Sequence, residues 1–480
     1  MNYQVPQNIN NDKIFIVNRS EIEGRLEPEF YRPSISSLEN RIRLLASHKL
    51  RDYALSLAGG ATPKKTEADK FYTDSESGIP FLRVQNLQTN GELALDNCIY
   101  INEETHNGLL QRSQVSESDL LVKITGVGRM AVASVAPEGF IGNTNQHMVV
   151  IKTGDASISK YLARYLNLDI IEKIASRHST GGTRPALDYP SLKALPIIEG
   201  IDFSTIDKAI ELKKDKERKA ENLLDSIDSY LLQELGLTQS ESKKGLKDRI
   251  FIVKRNSLEE RIDPLFYFAE IGKFTHCTYS ERLSSLTITF NNGFAVGRQD
   301  QKEEGCGILQ IRPTNIDNNG RLKFDKNVYV PEMADISFVE SGVVLFNNTN
   351  SQELVGKTTY FANEEMQKVY ISNHITAIDV DRSKILPEYL CAILNMYQRH
   401  KVFYSICTNW NNQSGVGLDL LKTLYIPLFT DNRHESLQKQ QQIVDRINAI
   451  YKEADDCILS ARQIMNEAKA KIESMIIGEK

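Results

Sequence analysis

Apolar and polar positions alternate along this chain in three distinct ways. Short apolar runs bounded by Gly, Asn or Asp predict strands: Asp119-Leu-Leu-Val-Lys-Ile-Thr125, Met148-Val-Val-Ile-Lys152 and Gly342-Val-Val-Leu-Phe-Asn347. Two stretches, about Ser159 to Ala175 and about Pro387 to Tyr404, carry apolar residues at helical spacing and predict one amphipathic helix each. The third pattern is the longest. From Leu437 the positions Gln440, Val444, Ile447, Tyr451, Ala454, Ile458, Ala461, Met465, Ala468, Ile472 and Met475 alternate steps of three and four, more than five heptads in register. A second such helix is predicted from Ser204 to Leu235, with Ile206, Ala209, Ala220, Leu223, Ile227 and Tyr230 on its seam. Lys213 and Lys216 interrupt that seam, and Gly236 suits the residue just past the end of a helix.

The patterns occur twice because the chain repeats itself. Ile14 to Tyr31 matches Ile250 to Tyr267 at ten of 18 positions. Gly78 to Tyr100 matches Gly307 to Tyr329, Tyr161-Leu-Ala-Arg-Tyr-Leu-Asn matches Tyr389-Leu-Cys-Ala-Ile-Leu-Asn, and Leu192 to Ile197 matches Leu421 to Pro427. These blocks keep their order at offsets of 228 to 236 residues, which marks a tandem duplication. The expected fold class is α+β: two similar mixed α/β domains in tandem, separated by two long antiparallel coiled-coil helices. Boundaries are expected at 1–199 for the first mixed domain, 200–237 for its helix, 238–430 for the second domain and 431–480 for the closing helix. Each helix, roughly 50–60 Å long at 1.5 Å per residue, needs cover for its seam, and each is the other's natural partner.

Composition narrows the function. Of 480 residues, 41% are hydrophobic and 25% charged, an ordinary globular balance. No apolar run is long enough for a membrane span, and the polar start lacks the regions of a signal peptide, so a cytoplasmic, membrane-free protein is expected. Six cysteines without CxxC spacing argue for reduced thiols rather than a zinc ribbon or disulfide framework. The net charge of −5 requires that any nucleic-acid contact use local positive charge. No GxxxxGK[ST] loop, Asn/Asp-Pro-Pro-aromatic tetrapeptide, nuclease Pro-Asp with Glu-x-Lys, or HExxH is present. Asp263-Pro-Leu-Phe266 falls one proline short of the methyltransferase motif. The chain is expected to catalyse nothing by itself and to need no cofactor or metal.

The order of mixed domain, long helix, mixed domain, long helix resembles the specificity subunits of type I restriction–modification systems. The residues that carry the resemblance are Gly59-Gly-Ala-Thr-Pro63, Gly78-Ile-Pro-Phe-Leu-Arg-Val-Gln-Asn86, Glu117-Ser-Asp-Leu-Leu-Val122, and Ser179-Thr-Gly-Gly-Thr-Arg-Pro-Ala-Leu187 leading into Leu192-Lys-Ala-Leu-Pro196. The second copy departs from the pattern. It has Asn292-Gly-Phe-Ala-Val-Gly297 where a counterpart of Gly59 to Pro63 is sought, and a reworded late loop, Asn411-Asn-Gln-Ser-Gly-Val-Gly-Leu418. The resemblance implies that each mixed domain is a target recognition domain reading half of a bipartite site in double-stranded DNA. It further implies that the helices are spacer and docking surface for two methyltransferase subunits, with restriction/translocase subunits joining through the complex. Two other readings remain: a stand-alone two-domain DNA-binding protein, and a coiled-coil scaffold that binds protein.

Candidate contacts follow from side-chain chemistry. Arg83, Gln85 and Asn86, with Arg312, Thr314 and Asn315, could read bases, because Arg matches the guanine edge and Asn or Gln the adenine edge. An Arg and an Asn present in both copies equally suit a common structural role, since readers of two sequences ought to differ. That logic favours the reworded loops, Thr180, Thr183 and Arg184 in one copy and Asn411, Asn412 and Gln413 in the other. Lys64, Lys65, Lys70, Lys123 and Arg298 are candidates for phosphate contacts. Gly126-Val-Gly128-Arg129 reads as a tight turn between strands, with Arg129 a further phosphate candidate. His147 and His374 read as packing residues. If the helices act as a ruler, four residues added after Gly236, about one turn and ~6 Å of rise, should lengthen the gap between half-sites by one or two base pairs of ~3.4 Å each. Methylation maps of the variant would read this directly, and an unchanged gap in an active protein would remove the ruler.

Overall fold

The computed structural model describes residues 10–237, 252–253, 255, 279–363, 367–410 and 413–478. Most of the second copy of the opening block, Ile250 to Tyr267, therefore lies outside the described residues. The chain divides into two compact units, one of Met1–Lys216 with Leu459–Lys480 and one of Glu217–Ile458. Each unit takes a stretch of both long helices, Ser204–Glu234 and Arg433–Ile477. Among the described residues no helix is long and apolar enough to cross a membrane.

The first unit holds a four-stranded antiparallel sheet in the order Ser56–Gly59, Met148–Lys152, Leu120–Lys123, Ala133–Val135. Its central strands are apolar on both faces because both are covered. Leu120, Val122, Val149 and Ile151 join the helices in one cluster, while Leu121, Met148 and Val150 pack with Leu82 and Val115 on the other side. That is why Asp119 to Thr125 reads as a continuous apolar run rather than an alternation. A five-stranded sheet supplies the second layer, with Ile79–Leu82 parallel to Ile141–Thr144 at its middle.

The second unit repeats this plan. Its sheet runs Thr287–Asn292, Ile375–Val380, Val343–Asn347, Thr358–Phe361. A smaller sheet pairs Ile308–Ile311 in parallel with Val369–Ile371. Val344, Phe346, Ile378 and Val380 face the helices, and Val343, Leu345, Ile375 and Ala377 face the smaller sheet. The counterpart of Gly60 becomes visible in space. A Cβ on Gly60 would lie 2.2 Å from the carbonyl oxygens of Thr144 and Asn145, and one on Gly293 would lie 2.2 and 2.3 Å from those of Ile371 and Ser372. Both glycines let two backbones meet edge to edge where no side chain fits.

Each expected amphipathic helix proves to be two. Ala156–Leu166 is followed by Asp169–His178, and Pro387–Arg399 by Val402–Ile406. The breaks have causes. Asn167 leaves the helix to hold the edge strand: its Nδ2 donates to Ala133 O at 2.7 Å, and Ala133 N donates back to Oδ1 at 3.2 Å. The second break falls at Lys401, in the left-handed region at φ +61°; Asn395, still inside Pro387–Arg399, makes the same clamp to Thr358, at 2.7 and 3.0 Å. The Asn that closes both repeat motifs thus satisfies a sheet edge that has no neighbouring strand.

The long helices run antiparallel within the second unit, where Lys219 pairs with Glu453 at 2.7 Å and Lys439 with Glu234 at 2.5 Å, so that one number rises as the other falls. The heptad seam is buried from Gln440 to Ile472, with Tyr451 and Ile458 half-buried, while its last member, Met475, is exposed. Ile443, Ile450 and Cys457 are buried as well, which widens the stripe beyond a strict two-position seam. Two polar residues of this helix cap helices of the mixed regions. In the second unit Gln440 Oε1 accepts from Leu386 N at 2.9 Å, at the head of Pro387–Arg399. In the first, Glu473 Oε1 accepts from Asp169 N and Ile170 N, at the head of Asp169–His178. A carboxylate there meets unpaired N–H groups and the positive end of the helix. Asn395→Ala or Asn167→Ala would leave a buried strand N–H and C=O unpaired, and each should cost roughly 2 kcal/mol. Urea unfolding would measure this; midpoints equal to wild type would show that the clamp carries no energy.

Candidate nucleic-acid interface

The two reworded loops occupy the same place in their units. In the first, Thr180 and Ala186 exchange two backbone hydrogen bonds of 2.8 Å, closing a loop over residues 181–185. Gly126 N donates to Pro185 O at 3.0 Å and Leu187 N to Ile124 O at 2.8 Å, so the loop is zipped to the chain leaving the central strand Leu120–Lys123. In the second, Thr408–Trp410 and Gln413–Gly415 form a hairpin. Its returning strand pairs with Thr349–Asn350, just past the central strand Val343–Asn347, and Val416 N donates to Asn348 O at 2.9 Å. One scaffold thus holds two different loops against the same strand end.

The described candidates on these loops are open to solvent. Thr180, Thr183 and Arg184 are exposed, as is Gln413, while Asn411 and Asn412 lie outside the described residues. In the second unit Gln413, Arg312, Thr314, Lys326, Asn350 and His374 line one cleft of 640 Å³. Candidates that are distant in sequence meet there. His374, expected to pack, stands half-buried on the cleft wall, and the equivalent His147 is half-buried too.

The other candidates divide by environment. Asn86 and Asn315 are buried, at 2% and 1% exposure, and their amides are committed to backbone. Asn86 Oδ1 accepts from Arg83 N and Nδ2 donates to Ala94 O, both at 2.8 Å. Asn315 binds Arg312 N and Lys323 O in the same way, both at 3.0 Å. These Asn residues close a turn in each copy and have no amide edge to offer a base. Arg83 donates to Asn97 O, and Arg312 to the buried Gln310, where burial draws its guanidinium below the ordinary value. Gln85 and Thr314, one residue before each Asn, are exposed.

Two expected phosphate contacts are engaged by their own unit. Lys123 is buried, donates to Val127 O at 2.7 Å, and is held by burial below the usual lysine value. It braces the Gly126–Gly128 bend, which no helix follows. Arg129 is ion-paired with Asp169 and donates to Asn167 O at 3.1 Å. Lys64 and Arg298 are exposed. Lys65 opens the 3-10 turn Lys65–Glu67, its side chain lying outside the description, and Lys70 pairs with Glu67 at 3.0 Å. Among the described residues no group of His, Cys, Asp and Glu could hold a metal ion.

The root of the first loop was hidden in the sequence. Glu39, buried in the helix Pro33–Leu45, binds His178 Nε2 at 2.8 Å, Arg43 at 2.6 Å and Arg177. Arg25 donates to Ser179 O at 2.8 Å and stacks on one face of Phe30, with Arg177 also over that ring. Arg25, Phe30 and Tyr31 come from the opening repeat block, so that block anchors the two residues that precede the loop.

No protein-family model matches the chain. Over 208 residues, 42% of its length, it is 24% identical to the protein named as specificity subunit of the type I restriction enzyme MjaX of Methanocaldococcus jannaschii. The match takes in 46% of that protein, so the chain spans about half the length of the curated relative it matches. Among solved structures it is similar to the type I restriction–modification S subunit of M. genitalium, at 13% identity, 89% of this chain, 95% of that one and a TM-score of 0.36. It is also similar to the HsdS subunit of Thermoanaerobacter tengcongensis, at 13% identity, 90% of this chain, 96% of that one and a TM-score of 0.32.

Burial alone would raise the pKa of Glu39, but its bonds to His178, Arg177 and Arg43 outweigh that and bring it to about 2. A folded pKa below the ordinary carboxylate value stabilises the fold above that value, and the contribution fades as pH falls toward 2. Glu39→Gln should therefore cost roughly 3 kcal/mol at neutral pH, with the gap to wild type narrowing below about pH 4.5. Urea midpoints across pH test this, and a gap independent of pH would contradict it.

Proposed function

We propose that this chain is the DNA-sequence-specificity subunit of a type I restriction–modification complex and acts in the cytoplasm. The observation that carries the reading is the pair of unlike loops, Thr180 to Ala186 and Thr408 to Gly415, held at one position of a duplicated scaffold. A protein that reads two different half-sites needs the same presenting frame twice and different presented residues. The partial likeness to the MjaX specificity subunit agrees with it.

In this reading residues 1–199 and 238–430 are the recognition domains, and 200–237 and 431–480 are the spacer helices. Thr180, Thr183, Arg184 and Gln85 face the bases of one half-site, and Thr314, Asn411, Asn412 and Gln413 those of the other. Arg83 and Arg312 sit at the edge of these sets, tied to their own unit. Lys64, Lys65 and Arg298 meet phosphates, contacts that set position rather than sequence. The chain itself is non-catalytic. Its helices dock two methyltransferase subunits, and restriction/translocase subunits join through that complex.

The test is an exchange. Replacing Ile14 to Ile198 with the same region of a protein of known different specificity should change one half of a split methylation motif and leave the other half intact. Methylome sequencing of a host carrying the chain and its methyltransferase reads the outcome. Both halves changing together would sink independent recognition, and a wild-type methylome without a split motif would sink the function itself.

A further inference from the structure

The single tryptophan of the chain stands in an unusual place. Trp410 is 55% exposed, on the outgoing strand of the hairpin whose returning strand begins at Gln413. Leaving so large an apolar side chain in water wastes the burial that normally accounts for a Trp. Nor is the ring loose. It lies over Gly415, where an added Cβ would come within 2.7 and 2.9 Å of two indole carbons, so the absence of a side chain at Gly415 gives the ring its seat.

Its neighbours give the direction. Trp410 is directly paired with Gln413, and residues opposite each other in an antiparallel pair point to the same face. Gln413 lines the cleft with Arg312, Thr314 and His374. The seated indole therefore shares the hairpin face of Gln413, one of the polar groups that the proposed function turns toward DNA. In the first unit the residue two past the pairing threonine is Gly182, whose Cβ position has nothing within 4 Å. One copy presents an aromatic ring where the other presents none, as a determinant of sequence should.

We propose that Trp410 is a specificity-determining residue for the second half-site, its indole meeting the 5-methyl group of a thymine in the major groove. That methyl is the apolar feature of the groove, and a rigid apolar ring flanked by a Gln suits a thymine next to a hydrogen-bonded base. The inference rests on the proposed function and deepens it.

The test uses the assembled complex with its methyltransferase subunits and duplexes carrying the split motif found in the wild-type methylome. Replacing each second-half thymine by uracil in turn, which removes only the methyl, should weaken wild-type binding about fivefold at one position. Trp410→Ala should bind the thymine and uracil duplexes alike at that position, while Trp410→Leu keeps the discrimination and first-half preferences stay unchanged. If the wild-type complex recognises a split motif but Trp410→Ala still discriminates like wild type, this inference fails and the proposed function stands. A Trp410→Ala complex that loses binding to every duplex, scrambled second halves included, also overturns it. Failure of the wild-type complex to select any split motif instead removes the reading beneath it.

Discussion

A 45-residue helix with an apolar stripe along one side cannot leave that stripe in water, and both units of this chain are built around covering it. Each fully buried Leu or Ile is worth roughly 1.5–3 kcal/mol, so the stripe is a large fraction of what either unit gains by folding. In the first unit Met465, Ala468 and Ile472 share a core with Ile206, Ala209 and Ile210 and with the sheet face of Leu120 and Val149. In the second, Ile443, Val444, Ile447 and Ile450 share one with Ile227, Leu231, Leu232 and the face of Val344 and Ile378. Neither mixed region closes its core without helical residues distant in sequence. The polar exceptions along the helix have partners too, since Gln440 and Glu473 each cap the head of another helix.

The duplication separates what holds from what varies. Residues present in both copies turn inward: Asn86 and Asn315 close turns, Asn167 and Asn395 clamp edge strands, and the hydroxyls of Tyr161 and Tyr389 donate to Ile198 O and Pro427 O. Thr180, Thr183 and Arg184 in one copy and Gln413 in the other, where the copies differ, are exposed. A buried side chain with every hydrogen bond assigned cannot change without stranding a partner at about 1–3 kcal/mol, whereas an exposed tip can change freely. The same frame can thus carry new loops at little cost to folding.

Much of this was legible in the sequence, for identifiable reasons. Long heptads and continuous apolar runs are strong periodic signals, so both long helices and the central strands fall where the pattern puts them. Repetition pointed to the reworded loops, because difference against a duplicated background is itself information. The illegible parts depend on contacts between distant residues. Nothing local shows that Asn167 must leave its helix to clamp Ala133, that Glu39 gathers Arg177 and His178 behind a loop, or that Gly293 does the work of Gly60. Lys123 and Arg129 look like phosphate ligands in a sequence, and only the fold reveals that one is buried and the other already ion-paired.

Under the proposed function an acidic chain acts on a polyanion. Lys123 is buried and Arg129 is ion-paired with Asp169, and the net charge of −5 repels a polyanion at long range. Affinity for duplex DNA comes mainly from neutralised phosphates and counterion release. In that proposal the methyltransferase partners supply much of that term, and this chain contributes discrimination through short polar and aromatic side chains on its loops. Dividing the work in this way keeps the isolated chain from settling on arbitrary DNA. On the proposed function, sequence reading takes effect only after the partner subunits have brought the duplex to the loops.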